Sequence, residues 1–187
     1  LLQKLNRKDK NIKALILSPT RELANQTYQE FEKLSFDLGL KAEVVFGGSS
    51  YDRQIGGIRR NRPQVIIGTP GRLIDLMDKG ILNFSQTETL ILDEADEMLN
   101  MGFLEDVQRI MMDLPLERRI WMFSATMPRA ITSLVNKEFN EPQMVKVEKK
   151  TLASGSVSQD CYLVRRRYFS EALRRIIDTE NEVYGIV

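Results

Sequence analysis

Residues 89–97 read Thr-Leu-Ile-Leu-Asp-Glu-Ala-Asp-Glu, so an apolar run ends abruptly in three carboxylates within four residues. A run such as Leu90–Leu92 is typical of a strand that is buried on both faces of a parallel sheet. In open α/β sheets, ligands bind beyond the carboxyl ends of such strands. The stretch therefore predicts a central strand, with Asp93 and Glu94 where a ligand would be expected.

The acids after this strand have two interpretations. Asp93 can hold a hydrated Mg²⁺, which prefers oxygen ligands and keeps several of its waters. Glu94 can orient and deprotonate a water molecule that attacks a phosphate. The alternative is an acidic helix N-terminus, because carboxylates are favoured at the positive end of a helix dipole. The residues that follow the other predicted strands are needed to choose between these two interpretations.

Composition excludes several classes of protein. The net charge of +1 over 187 residues gives no general attraction to nucleic acid, so any basic surface must be local. The single cysteine, Cys161, excludes an internal disulfide and is consistent with a reducing compartment. The absence of histidine excludes histidine-ligated metals and Ser-His-Asp catalysis.

No apolar run approaches the roughly 20 residues of a membrane span, and the sequence contains no secretory signal. We therefore predict a cytoplasmic protein without a membrane partner.

Strand-like and helix-like segments alternate over residues 13–146. Short apolar runs predict strands at 14–17, 44–46, 65–67, 90–92, 120–123 and 144–145. The first helix is predicted to begin after the N-cap Thr20 and to end at Gly39. Its predicted buried face consists of Ala24, Tyr28, Phe31, Leu34 and Leu38. This alternation predicts an α/β fold in which helices flank a parallel sheet.

Composition also predicts a division of the chain into domains. We assign residues 1–146 to a first domain, 147–158 to a linker rich in Ser, Lys and Gly, and 159–187 to the beginning of a second domain. In the last part, residues 161–164 and 183–187 are predicted strands, and the segment around 172–177 is a predicted helix. The apolar pattern of residues 1–5, which has no capping residue before it, is interpreted as the interior or tail of a helix.

Five predicted strand ends carry unusual residues in a fixed order. They are Pro19-Thr20-Arg21-Glu22-Leu23-Ala24, Gly47-Gly48, Thr69-Pro70-Gly71-Arg72, Asp93-Glu94-Ala95-Asp96 and Ser124-Ala125-Thr126. Together they resemble the motifs of the DEAD-box family of ATP-dependent RNA helicases. The resemblance runs continuously over about residues 1–150, and residues 158–187 look like the start of the family's second domain. It implies a RecA-like fold of the P-loop NTPase class, followed by part of a second RecA-like domain.

The resemblance implies a role for each motif. Asp93 would act on Mg²⁺ through bound water, and Glu94 would be the general base for the attacking water. Asp96 would couple the ATP site to Ser124 and Thr126, although it could instead be a local helix-capping acid.

The turns around the two arginines would contact the RNA backbone. The implied RNA-binding residues are Pro19, Thr20, Arg21, Gly47, Gly48, Thr69, Pro70, Gly71 and Arg72. The alternatives are plain turns for the glycines and surface ion pairs for the arginines. The implied ligands are ATP, Mg²⁺ and RNA, as a single strand or a short duplex read with little sequence specificity. Protein partners are not predicted.

Two family motifs are absent from the 187 residues. No G-x-x-x-x-G-K-[ST] phosphate-binding loop occurs, and neither does the adenine-binding motif that contains glutamine. We therefore predict a helicase of which this chain is an incomplete copy, inactive by itself. Two alternatives remain open, namely a non-catalytic RNA-binding or interaction module and a DNA translocase.

Overall fold

The computed structural model describes residues 1–147 and 161–179 of the chain. The chain divides into two compact units, Leu1–Pro142 and Gln143–Val187. All of the predicted linker except residue 147, and the whole predicted strand 183–187, lie outside the described residues. The domain boundaries drawn from the sequence therefore stay predictions.

The first unit is built on a five-stranded sheet in which every neighbouring pair is parallel. Its strands are β1 (Ala14–Leu17), β2 (Ala42–Val45), β3 (Val65–Gly68), β4 (Thr89–Leu92) and β5 (Arg119–Met122). The order across the sheet is β2-β3-β1-β4-β5. The predicted parallel α/β fold is confirmed, and the acidic stretch follows an interior strand, β4.

Helices connect and cover the strands. They are α1 (Arg21–Ser35), α2 (Tyr51–Asn61), α3 (Pro70–Asp78), α4 (Ala95–Asn100), α5 (Leu104–Met112), α6 (Arg129–Glu138) and, in the second unit, α7 (Phe169–Thr179). Short 3₁₀ turns occupy Leu2–Lys4, Phe36–Leu38 and Arg166–Tyr168. Within the described residues, none of these helices has the length and apolar character needed to cross a membrane.

Side chains that alternate along each strand divide the core into two layers. In β1, Leu15 and Leu17 pack into a large cluster with apolar residues of α2–α6, whereas Ala14 and Ile16 pack into a smaller cluster with α1. All four side chains are buried, as the apolar run predicts. Burying one such Leu or Ile side chain contributes about 1.5–3 kcal/mol, so the continuous apolar strands determine this sheet.

The strand β5 is less buried than its sequence predicts. Ile120 and Met122 pack against the larger cluster, but Trp121 is 37% exposed. Trp121 is paired in register with Ile91, which belongs to the smaller cluster. Among the described residues, α1 is the one α-helix that contributes to this cluster, so this face of the sheet is sparsely covered. Because β5 is also an edge strand, its side chains on this face stay accessible.

Other expectations about local structure are wrong. Residues 143–147 and 161–165 have no strand geometry, and residues 1–5 contain a single 3₁₀ turn instead of a helix. Leu34 is 67% exposed and Leu38 44%; the buried face of α1 contains Ala24, Phe31 and Ser35, and Leu34 lies to one side of that face. The helix α2 extends over 11 residues although it contains Gly56 and Gly57, which disfavour helix.

Candidate functional site

The parallel register brings all five motif turns to one edge of the sheet. Leu17 lies opposite both Gly68 and Leu92, and Leu92 lies opposite Met122, so the strands end at a common level. The five turns that follow these ends are called the motif rim below. They comprise residues 18–21, 46–49, 69–72, 93–96 and 123–126. The structure thus assembles every candidate residue predicted from the sequence on one side of the molecule.

Asp93 and Glu94 occupy different environments although they are adjacent. Asp93 is half-buried, and this burial raises the pKa of its carboxyl, an effect that a hydrogen bond from the Glu94 backbone partly offsets. Glu94 is exposed and has left-handed backbone angles, φ 49° and ψ 55°, directly before α4. Such angles are unusual for a residue with a side chain and concentrate at functional sites.

The chemistry of Asp93 fits a hydrated cation. A half-buried carboxylate whose ionised form is disfavoured gains from a nearby positive charge. Among residues 1–147 and 161–179, no group of three or more acidic or cysteine side chains could enclose a metal ion. A magnesium ion at Asp93 would therefore take most of its ligands from water and from a bound phosphate, as Mg²⁺ commonly does.

Asp96 connects α4 to the turn after β5. Its Oδ2 accepts hydrogen bonds from the Thr126 hydroxyl at 2.7 Å and from the Thr126 backbone N–H at 2.8 Å. Its own backbone N–H donates to Ser124 Oγ at 3.2 Å, and that hydroxyl donates to the Thr126 carbonyl at 2.7 Å. The Thr126 hydroxyl is the main reason why the pKa of Asp96 lies below its ordinary value. Its carboxylate therefore bonds to the next strand's turn instead of capping its own helix.

Arg21, at the first position of α1, packs against the turn after β2. Its guanidinium lies 5.0 Å from the centre of the Phe46 ring. A Cβ on Gly48 would lie 3.0 Å from Arg21 Nη1, and Gly48 has a φ of 74°, so glycine is favoured here by both space and backbone angle. Thr20 caps α1 through a hydrogen bond from the Leu23 N–H to its hydroxyl. The arginine is exposed and accessible to a ligand.

Arg72 is held inside the rim. Its side chain is only 12% exposed, and its guanidinium donates to Gln54 Oε1 at 3.1 Å and lies 4.7 Å from the centre of the Tyr51 ring. The Gln54 amide in turn donates to the Phe46 carbonyl at 2.9 Å. These contacts support the turn after β2 and leave little of the Arg72 side chain accessible, and the RNA contact drawn from the sequence stays a prediction.

Sequence reasoning missed Gln54 and Gly68. Gln54 is buried on the same face of α2 as Ile58, and a glutamine on an apolar helix face could have indicated a polar contact. Gly68 ends β3 where a Cβ would collide with the Val45 carbonyl oxygen. Nothing in the local sequence distinguishes that close approach from an ordinary turn.

The remaining candidates also lie on the rim. Pro70 is buried at the start of α3, and Thr69 precedes it with its backbone N–H bonded to the Val45 carbonyl at 3.0 Å. Gly71 and Gly47 have no neighbouring atom within 4 Å of an added Cβ, so backbone groups there are approachable. Pro19 is buried beside Ser18, a buried residue whose hydroxyl has no hydrogen-bond partner among the described residues.

Sequence comparison identifies a family. The pattern of the DEAD/DEAH box helicase family matches residues 1–134. ATP-dependent RNA helicase CshA of Listeria monocytogenes is 38% identical over 187 residues, which are 100% of this chain and 36% of that protein. DEAD-box ATP-dependent RNA helicase CshA of Geobacillus kaustophilus is also 38% identical, over 100% of this chain and 40% of its own length.

Solved structures are similar as well. The crystal structure of a DEAD box protein from Methanococcus jannaschii superimposes with a TM-score of 0.74 at 38% identity, over 98% of this chain and 48% of that one. A hypothetical ATP-dependent RNA helicase from Sulfolobus tokodaii gives a TM-score of 0.66 at 35% identity, over 71% of this chain and 39% of the other. The chain therefore spans less than half of the length of each of these proteins.

Proposed function

The chain belongs to the DEAD/DEAH box helicase family, and from this premise we propose that the protein containing it is an ATP-dependent RNA helicase. That protein would couple ATP hydrolysis to RNA binding and to local unwinding of short duplexes. The observation that carries the proposal is the arrangement of three acids at the end of β4. Asp93 is half-buried, Glu94 is exposed in a strained conformation, and Asp96 is bonded to Thr126.

Each acid has a distinct part in the proposed hydrolysis. Mg²⁺ bound near Asp93 through water would neutralise charge on the phosphates of ATP. Glu94 would accept the proton of the attacking water, because its carboxylate is exposed at the rim and its backbone is fixed by the start of α4. Asp96 would transmit the state of the ATP site to Ser124 and Thr126, to which it is hydrogen-bonded.

RNA is the proposed polymer. The printed names of the relatives specify RNA helicases, which favours RNA over the alternative of a DNA translocase. Arg21, the backbone around Gly47 and Gly48, and the start of α3 at Thr69–Gly71 would contact phosphates and sugar hydroxyls. Contacts of this kind read the backbone, so little sequence preference is expected. The compartment is proposed to be the cytoplasm.

The catalytic proposal is tested with Glu94→Gln in the full-length protein. The amide is nearly isosteric but cannot accept the proton of water, so nucleotide binding should persist while RNA-stimulated phosphate release falls by about 10²–10⁴-fold. Glu97→Gln is the matched control, because Glu97 is an exposed acid of α4 whose carboxylate accepts a hydrogen bond from the Asn100 amide. Undiminished phosphate release by Glu94→Gln would remove Glu94 from the catalytic role. An absence of ATPase activity in the unmodified full-length protein would instead favour a non-catalytic RNA-binding module.

The RNA contact is tested with Arg21→Ala in the 187-residue chain. Fluorescence anisotropy with a labelled single-stranded RNA should show weaker binding, with the slope of log K against log salt smaller by about 0.7 for one lost phosphate contact. Lys33→Ala near the other end of α1 is the control, since Glu30 is the one ion-pair partner of Lys33 in the part of the chain that the structure describes. Equal binding by the Arg21 variant, or a preference for duplex DNA, would contradict the assignment.

A further inference from the structure

A second basic surface lies at the opposite end of the sheet from the motif rim. An open depression of about 440 Å³ is formed where β1, β2 and β3 begin. Six cationic residues line it, and we call it the basic depression. They are Arg7, Lys8, Lys10, Lys41, Arg60 and Arg62.

The charge of this surface is strongly one-sided. Asp9 is the single acidic residue in its lining, against six cations, whereas the whole chain has a net charge of only +1. All six cations are exposed, and within the described part of the chain none of them has a carboxylate partner within 4.0 Å. Six like charges held together with a single acidic residue among them raise the free energy of the unliganded surface, so a bound anion would be stabilised there.

The basic depression is organised before any ligand arrives. Gln64 is buried at its base, where its Oε1 accepts from the Lys41 backbone N–H at 2.9 Å and its amide donates to the Asp9 carbonyl at 2.5 Å. The Gln64 carbonyl also accepts from the Lys13 N–H at 2.8 Å. Gln64 therefore connects its own segment, which follows Arg60 and Arg62, to two others that carry cations, residues 7–13 and Lys41.

The chemistry of the lining indicates the class of ligand. Among residues 1–147 and 161–179, its lining contains, besides the charged residues, Gly39, Asn61 and Gln64 alone, so these residues offer neither an apolar wall of side chains for a small organic molecule nor an aromatic ring for base stacking. Many cations without stacking partners match a chain of phosphates, which is read without regard to sequence.

We propose that the basic depression binds the phosphate backbone of RNA that extends past the motif rim. This proposal rests on the proposed function, which supplies RNA as the polymer. The strands between the two surfaces are four residues long, or about 13 Å at about 3.3 Å per residue, so the surfaces are separate. At about 3.4 Å or more per nucleotide, roughly four nucleotides cover this distance, so an RNA of about 30 nucleotides reaches both surfaces.

The test compares two triple variants of the 187-residue chain. Lys8→Gln/Lys10→Gln/Arg60→Gln removes three of the six positive charges of the basic depression, at side chains that have no hydrogen bonds among the described residues. Lys33→Gln/Arg109→Gln/Lys137→Gln removes the same charge from exposed positions elsewhere. Binding is measured by anisotropy with a single-stranded RNA of about 30 nucleotides over a range of salt concentrations, and thermal unfolding checks that both variants are folded.

The expected result is specific to the position of the lost charges. The depression variant should bind the RNA about tenfold or more weakly, with a salt slope smaller by about 2 for three lost phosphate contacts. The control variant should bind the RNA like the unmodified chain. Equal loss of affinity in the two triple variants would overturn the proposal, because net charge alone would then explain it. Competition by poly-glutamate that matches competition by RNA would also overturn it and indicate an acidic protein partner.

Failure of this proposal differs from failure of the proposed function. If Arg21→Ala weakens RNA binding but the depression variant binds RNA normally, only the second surface is refuted. If neither Arg21→Ala nor the depression variant changes RNA binding, the proposed RNA function is refuted as well.

Discussion

The pKa values of Asp93 and Asp96 are shifted in opposite directions, although the two residues lie only three positions apart. Burial raises the pKa of Asp93, whereas the hydrogen bond from the Thr126 hydroxyl lowers the pKa of Asp96. Between them, the left-handed backbone of Glu94 turns the chain into α4. The motif therefore contains three acids with three different environments, which suits three different roles.

The lowered pKa of Asp96 gives a prediction for Thr126→Val. A carboxyl whose pKa is lower in the folded chain stabilises the fold above its unfolded pKa, and this contribution is lost as the pH falls through its folded pKa. Removing the hydroxyl should raise the pKa of Asp96 toward its ordinary value. It should also lower the free energy of unfolding at pH 7 by about 0.5–1.5 kcal/mol.

Urea unfolding at neutral and strongly acidic pH measures this effect, and the difference between variant and unmodified chain should shrink in acid. Thr132→Val is the control, because the Thr132 hydroxyl donates to the Pro128 carbonyl at 3.3 Å and not to a carboxylate. A pH-independent loss in Thr126→Val would mean that the hydroxyl acts by packing alone.

Among the elements, the β2–β3 pair depends on one glycine. A Cβ on Gly68 would meet backbone atoms of Val45, which cannot move without disturbing the sheet. Gly68→Ala should therefore lower the free energy of unfolding by about 1–3 kcal/mol. The change is measured by thermal or denaturant unfolding of the 187-residue chain.

Gly56→Ala is the opposite case and serves as the control. Gly56 lies inside α2 with no neighbouring atom within 4 Å of an added Cβ, so alanine should stabilise the chain by about 0.5–1 kcal/mol. Similar effects of the two substitutions would show that the Val45 contact does not restrict Gly68.

Helix coverage of the sheet explains which elements were predicted well. Strands β1, β3 and β4 are interior and have uniformly buried side chains, so their apolar runs were sufficient evidence. The edge strand β5 has a similar apolar sequence but an alternating exposure. The number of covering helices on each face decides this difference, and no local pattern contains that information.

At the scale of the whole molecule, the 187-residue chain is predicted not to turn over ATP. Asp93 and Glu94 can place a metal and a water only beside a phosphate that is already held, and the sequence contains no G-x-x-x-x-G-K-[ST] loop to hold it. Phosphate release by this chain, with and without RNA, should equal the background rate, while the full-length protein should hydrolyse ATP. Turnover by the 187-residue chain would show that these residues contain a phosphate cradle of another kind.

The sequence by itself determined the parallel α/β fold, the interior position of β4 and the set of residues that gather at the motif rim. It could do so because buried strands require continuous apolar runs, and because parallel strands place all their carboxyl ends at one edge.

Only the tertiary structure distinguished the two motif arginines. Arg21 is exposed, whereas Arg72 is enclosed by Gln54 and Tyr51. Tertiary contacts also decided that Asp96 bonds to Thr126 instead of capping α4, and they brought six cations from three distant segments into the basic depression. These features depend on contacts between residues far apart in the chain, whose partners are chosen by packing and register and not by neighbouring residues.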